Sequence, residues 1–374
     1  MRLTELESVA GFPIGKIPGR SLGRGSGTPR SWLEEAILTA LGNAPCAVAF
    51  SGGRDSSALL ALAVSLARAN GLAVPIPVTL RFDDEASNED EWQHLLIDHL
   101  GLDDWIRIDA STDLKLTGSL AESLIREAGV AYPTNAYTHL RLAREVPGGA
   151  LITGIGGDEV FASPAEGWLR VITGKALPRL RHVKAAVNDT LPGRVQRIGR
   201  RILTDHHWLL PDVREVLIED VGRSYWDGSR RFNEGLRRWV NDRYYVSLRQ
   251  TLRAVEASSG CRVIAPFLDR RFLAAFATES GIGGPKSRTD AMNRLFGDVL
   301  PPATVSRPTK AIFDLALYEI EERFLETWNG EGLPIDLVSA DALRAEWRKP
   351  APNACADILL QRAFFTWKGV LPGD

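Results

Sequence analysis

The join at Ser51-Gly52-Gly53-Arg54-Asp55-Ser56 constrains this chain more than any other stretch. It follows the apolar run Ala47-Val48-Ala49-Phe50 and precedes a strongly apolar stretch, 57–69, closed by Asn70-Gly71. A short apolar run, a double glycine and a long apolar stretch predict a strand, a tight turn and a buried helix. Gly52 and Gly53 permit φ > 0 and let backbone N–H groups approach a ligand. The helix predicted to begin near Asp55 offers unpaired donors and a positive dipole end, which suits phosphate. Ser51 and Ser56 add hydroxyls, and Asp55 could hold Mg²⁺ beside the phosphates. The Walker pattern GxxxxGK[ST] does not occur in the chain. A Gly-Gly turn can also be plain connection, so the loop alone does not establish a site.

The flanking pattern repeats the same alternation. Further strands are predicted at 76–82, 105–108 and 149–153. Helices are predicted after Ser31, at 88–100, at 117–128 and at 135–145. Strands alternating with helices imply an α/β fold with a doubly wound parallel sheet, whose ligands sit at the carboxyl ends of the strands. From Asp212 onward the pattern is helical, giving a helical C-terminal lobe. Residues 1–30, rich in Gly, Pro and Arg, read as an N-terminal arm, and 31–374 as the functional domain.

Composition excludes several classes. With 44% hydrophobic and 25% charged residues over 374 positions, the chain is globular with a large core. A net charge of −2 argues against a general nucleic-acid binder. Cys46, Cys261 and Cys355 are scattered, without CxxC, so neither a disulfide framework nor a zinc site is expected and a reducing cytoplasm fits. No signal peptide or membrane span is expected. His182, His206 and His207 have no metal-ligand spacing and read as surface residues. The ten Trp residues read as core rather than a stacking platform. The stretch 170–201 carries nine Arg and Lys, among them Arg194, Arg197 and Arg200. It reads as a solvated helical insertion or as a basic surface for an acidic peptide.

A second loop, Thr153-Gly154-Ile155-Gly156-Gly157-Asp158-Glu159, again follows a predicted strand. Gly154, Gly156 and Gly157 would let the backbone approach a nucleotide. Asp158 would supply a second carboxylate for Mg²⁺, with Glu159 a further candidate. By itself the Asp-Glu pair could simply cap a helix.

SGGxDS after a strand resembles the pyrophosphate loop (PP-loop) of the ATP pyrophosphatase superfamily, whose members split ATP between its α and β phosphates. The ordered pair SGGRDS … GIGGDE resembles the synthetase domain of the asparagine synthetase family. Ala265-Pro266-Phe267-Leu268-Asp269 resembles that family's PFLD motif, and Arg307-Pro308-Thr309-Lys310 its RxxK segment. The resemblance spans about residues 31–330. It implies that ATP and Mg²⁺ are used, with Asp55 and Asp158 binding the metal and Ser51, Gly52, Gly53 and Ser56 cradling the β and γ phosphates. It implies that Lys310 contacts the phosphates and offsets developing charge. Lys286 is a second basic candidate, and Asp269 is expected to order its loop.

Two departures shape the expected function. Met1 is followed by Arg2 rather than a nucleophilic cysteine, and residues 1–30 are too short for a glutaminase domain, so the nucleophile is expected to be free ammonia or a substrate amine. Glu91-Trp92-Gln93, 99–105, 260–269 and Arg307-Pro308-Thr309-Lys310 are similar to lasso-peptide cyclases. Arg262 stands where asparagine and β-lactam synthetases commonly carry Glu, which disfavours a β-lactam-type tyrosine–glutamate base dyad. The expected activity is ATP-dependent amide formation through an acyl-adenylate. Its most specific form is macrolactam closure of a precursor peptide, with a protease or leader-binding protein as partner and neither nucleic acid nor membrane involved. A small-molecule amide ligase and an ammonia-dependent asparagine synthetase-like enzyme share the same residues. A PP-loop tRNA-modifying enzyme and a non-catalytic subunit fit less well.

Overall fold

A computed structural model describes residues 2–110, 112–161, 167–180, 182, 192–226, 230–307 and 315–372. Five strands form one all-parallel sheet: β1 Cys46–Ala49, β2 Ile76–Arg81, β3 Ile106–Asp109, β4 Ala150–Ile152 and β5 Arg262–Ile264. Their order across the sheet is β3-β2-β1-β4-β5. The chain therefore winds outward from β1 through β2 to β3, then returns to place β4 on the other side of β1. That reversal is the switch point at which open α/β sheets bind ligands.

The register β1–β4, with Val48 opposite Ile152, brings the two glycine loops to adjacent strand ends. Four strands agree with the sequence reading to within a residue or two. The fifth, β5, lies in a region the periodicity assigned to helices. It is three residues long, too short to show alternation.

The described helices before β5 are α1 Glu5–Ala10, α2 Pro29–Leu41, α3 Arg54–Ala69, α4 Asp90–Leu100, α5 Ser119–Ala128, α6 Tyr137–Ala143, α7 Gly157–Phe161, α8 Gly167–Ile172, α9 Arg194–Ile202, α10 Pro211–Trp226, α11 Phe232–Trp239 and α12 Arg243–Ser259. After β5 come α13 Arg270–Ser280, α14 Arg288–Phe296, α15 Pro302–Ser306, α16 Glu322–Thr327, α17 Ala340–Trp347 and α18 Asp357–Trp367.

Period-two alternation divides the sheet into two faces. Val48 and Ile152 face a core built with Leu59 and Leu62 of α3, Leu96 of α4 and Phe272 and Phe276 of α13. Ala47 and Leu151 face the other core, with Leu124 of α5, Leu140 of α6 and Val255 of α12. Trp208, Trp328 and Trp347 are buried in that second core, as expected for structural tryptophans. His206 is buried there too, against the expectation of a surface residue. Its Nε2 is 2.9 Å from the Ala10 carbonyl and its ring tilts on Trp208, so an aromatic neighbour and a carbonyl partner replace water.

The arm is part of this second core. Thr4 caps α1 in a reciprocal box with Glu7, and Val9 and Ala10 are fully buried. Burial opposes the Glu7 charge, but Arg243 and the Thr4 and Ile14 amides outweigh it and hold the carboxyl below its ordinary pKa. The three cysteines are free. Among the described residues, no helix is long and apolar enough to cross a membrane.

Candidate active site

The first loop forms because β1 delivers the chain into a glycine turn that α3 then leaves. Gly52 has φ +85°, and a Cβ there would sit 2.9 Å from Gln93 Cγ and 3.0 Å from Glu89 Cβ, so a side chain is excluded on both counts. Gly53 is the N-cap of α3 and brings no side chain to the first-turn amides. The Gly53 N–H donates to Ser51 Oγ (3.2 Å), and Ser56 Oγ lies 3.1 Å from Ser51 Oγ. The two serines expected to cradle phosphate thus brace one turn at the positive end of α3.

Support from behind comes from residues the sequence reading left without a role. Gln93 Nε2 donates to the Ser51 carbonyl at 2.9 Å. The Arg307 guanidinium donates to the Gly52 carbonyl and pairs with Glu89, and both side chains are buried. Arg307 also lies over the Trp92 ring, 4.8 Å from its centroid. The loop is therefore clamped by the RxxK segment itself. The signal was present in the quoted motifs Glu91-Trp92-Gln93 and Arg307-Pro308-Thr309-Lys310, but pairing residues so distant in sequence needs the fold. Lys310 lies outside the described residues.

The second loop leaves β4 and turns into α7. Gly156 has φ +94°, and a Cβ there would meet Leu268 Cδ2 at 2.6 Å. The two loops touch, since a Cβ on Gly154 would lie 3.3 Å from the Ser56 amide nitrogen and one on Gly157 would overlap the Asp55 carboxyl. Beneath them, His139 Nε2 is 2.9 Å from Thr153 Oγ1, and burial lowers the imidazole pKa to about 4.

Asp55 and Asp158 converge on one cation, the Arg288 guanidinium. Nη2 is 2.6 Å from Asp55 Oδ2 and Nη1 is 2.7 Å from Asp158 Oδ1. Burial opposes the Arg288 charge, but the two carboxylates outweigh it and raise the guanidinium pKa. Arg54 stands nearby and is pushed the other way, by burial and then by Arg288. Lys286, the expected basic candidate, is exposed. Its carbonyl accepts from Arg170 Nη2 at 2.6 Å, and Arg288, two residues on, makes the contacts to both aspartates.

No group of three or more His, Cys, Asp or Glu positioned to hold a metal occurs among the described residues. The pair nevertheless fits Mg²⁺. Both donors are hard carboxylate oxygens, they already share one cation, and Mg²⁺ in nucleotide sites takes one or two carboxylates and completes its shell with phosphate and water.

Glu159 points elsewhere. It accepts a hydrogen bond from the Tyr244 hydroxyl, and the Tyr244 ring lies edge-on to Tyr132, with centroids 5.5 Å apart. A tyrosine–glutamate contact therefore exists here, between Tyr244 and Glu159 rather than at the position Arg262 occupies. Burial and the Glu159 charge hold Tyr244 protonated well above the ordinary tyrosine range. Both residues line a cavity of about 710 Å³, with walls from residues 11–15, 132–135, 239–244 and 354–357. Glu159, in the cavity wall, follows directly in sequence on Asp158, whose carboxylate pairs with Arg288.

Asp269 behaves as expected, pairing with Arg271 at 2.9 Å and capping α13. In the basic stretch, Gly199 of α9 packs against the Ile218 backbone of α10, and Arg200 pairs with Glu215 at 3.6 Å.

No curated protein matches the chain. The family model for asparagine synthase matches residues 29–363, taking in both glycine loops, the paired aspartates and Arg307. The chain belongs to the asparagine synthase family, whose members are ATP-dependent ligases that form carbon–nitrogen bonds.

Proposed function

We propose that this chain activates a substrate carboxylate with ATP and joins it to an amine. In the first step a carboxylate oxygen attacks the α-phosphorus of ATP, giving an acyl-adenylate and pyrophosphate. In the second an amine attacks the acyl carbon, giving an amide, AMP and a proton. One observation carries the reading: Asp55 and Asp158, in the first turns of the helices that follow the adjacent parallel strands β1 and β4, converge on the single cation Arg288 at the N-terminal end of α3. Such an arrangement suits a polyphosphate with its counter-ion.

Asp55 and Asp158 would hold Mg²⁺, which supplies neutralisation of phosphate charge. Arg288 and Arg54 add fixed positive charge beside the loop, where negative charge grows on the departing pyrophosphate. Arg307, Glu89 and Gln93 keep the loop's amides aimed and lower the reorganisation cost at the moment of reaction. Lys310, two residues past Pro308, carries the role the resemblance implies.

In its most specific form the reaction closes a macrolactam in a precursor peptide. Two observations favour a substrate of that size: the cavity of about 710 Å³ and the basic surface on α9 for an acidic segment. A small amino acid would occupy a fraction of that volume.

Product analysis with ATP and candidate carboxylate–amine pairs tests the reading. AMP plus pyrophosphate is expected. Asp55→Asn and Lys310→Ala should each lower turnover at least about 100-fold with the thermal midpoint preserved. ADP plus phosphate, or full activity in both variants, would sink it.

A further inference from the structure

The cavity beside Glu159 has a charge character the family match does not specify. Three carboxylates from separate elements line it: Glu159 on α7, Asp242 at the N-cap of α12, and Asp357 at the start of α18. Among its described lining residues there is no Lys, Arg or His. Tyr132, Tyr244 and Trp239 supply aromatic surface. Asp242 Oδ1 is buried and accepts no hydrogen bond among the described residues. Asp242 provides no side-chain cap to α12 either, so the helix does not account for it. Burial chiefly raises Tyr132 and Tyr244, with Cys355 and then Glu159 adding at Tyr132 and Glu159 at Tyr244, while Lys16, outside the lining, offsets part of the effect of burial on Asp242.

A carboxylate would be repelled from this space. The positive end of the site lies across Asp158, at Arg54, Arg288 and the α3 N-terminus. The two halves of the site are thus sorted by sign. An ammonium brings three donors, which suits the Asp242 carboxylate with its open Oδ1, and its charge is attracted to aromatic faces.

We infer that this cavity is the acceptor pocket and takes a cationic primary amine carried on an apolar or aromatic group. The word acceptor rests on the ligase reading above; binding of the cation does not. Asp242 and the aromatic walls hold the ammonium form, which gives one proton to water before its nitrogen can act as a nucleophile, and the carbon skeleton fills the remaining volume.

The test uses the full chain and two matched probes, phenethylamine and 3-phenylpropionate, with binding followed by calorimetry or saturation-transfer NMR. MgATP affinity is measured on the same preparations. Phenethylamine should bind saturably and 3-phenylpropionate at least about ten-fold more weakly. Asp242→Asn should weaken the amine about five-fold or more and leave MgATP affinity unchanged. Tyr225→Lys adds a cation at a rim residue that is 63% exposed, where folding tolerates it, and should weaken the amine as well. Equal binding of the acid and the amine would overturn the inference. So would wild-type amine affinity in both variants. Failure of the wild-type chain to bind MgATP would instead count against the ligase reading while leaving the amine result in place.

Discussion

Asp242 shows how one residue can cost stability at a site that uses it. Burial pushes its carboxyl up to about 6, and the Lys16 charge offsets part of that effect. Lys16 is its antiparallel bridge partner; Arg243 follows it in sequence, and Glu159, Asp357 and Tyr244 share its cavity. A carboxyl whose pKa is higher folded than unfolded takes up protons on folding. Its stabilising contribution is fully present below the unfolded value, near 4, and is lost as pH rises through about 6. Asp242→Asn should therefore be more stable than wild type by about 1–2 kcal/mol at pH 7.5, with the gap closing toward pH 4. Thermal midpoints across that range check it, and a variant less stable at pH 7.5 would show that the carboxylate is satisfied in a way its surroundings do not suggest. Neither the pKa nor the cavity was legible in the sequence. Asp242 sits in Asn241-Asp242-Arg243, which reads as an ordinary helix start, and its burial depends on residues more than two hundred positions away.

At the scale of elements, the two strand–loop–helix units were readable because each carries its own local logic. An apolar run, glycines where φ is positive, and a helix with an open first turn are short-range features, so Asp55 and Asp158 could be named before any fold was known. What brings them together is the pairing of β1 with β4, a long-range fact. Strand β5 and the Arg307 clamp were not readable for the same reason. Three residues carry no period, and a guanidinium aimed at a distant glycine carbonyl leaves no local trace. Gly156→Ala tests the second unit. At φ +94°, with Leu268 Cδ2 in the way, a methyl group should destabilise the protein by about 1–3 kcal/mol and displace Asp158. Denaturation midpoints and MgATP affinity should fall together; loss of neither would mean the loop has an alternative path.

On the scale of the whole molecule, the residues read as an arm turn out to be structural. The buried Glu7 pairs with the half-buried Arg243 and so fastens α1 to the start of α12, immediately before Tyr244. The family match begins at residue 29, so the Glu7 half of this contact lies outside the stretch the family model describes, while Arg243 lies within it. Glu7→Ala removes the carboxylate partner of a half-buried guanidinium and the acceptor for the Thr4 and Ile14 amides and should cost about 1–3 kcal/mol, measured as a shift in denaturant midpoint at constant m-value. Phenethylamine affinity should drop with it, because residues 11–15 form one wall of the cavity. A stability loss without any effect on the amine would separate the arm from the pocket.

The walls of that cavity also impose an order on the newborn protein. Strands β1 and β4 and both glycine loops are complete once residue 161 has been synthesised, whereas Arg288, Arg307 and the cavity wall at 354–357 come only later. On the ribosome, Asp55 and Asp158 are therefore written long before the Arg288 guanidinium that bridges them and before the last wall of the cavity. A chain of 161 residues thus carries both glycine loops but neither Arg288, nor the Arg307 clamp, nor the wall at 354–357, so the loops take their final surroundings only from segments made much later.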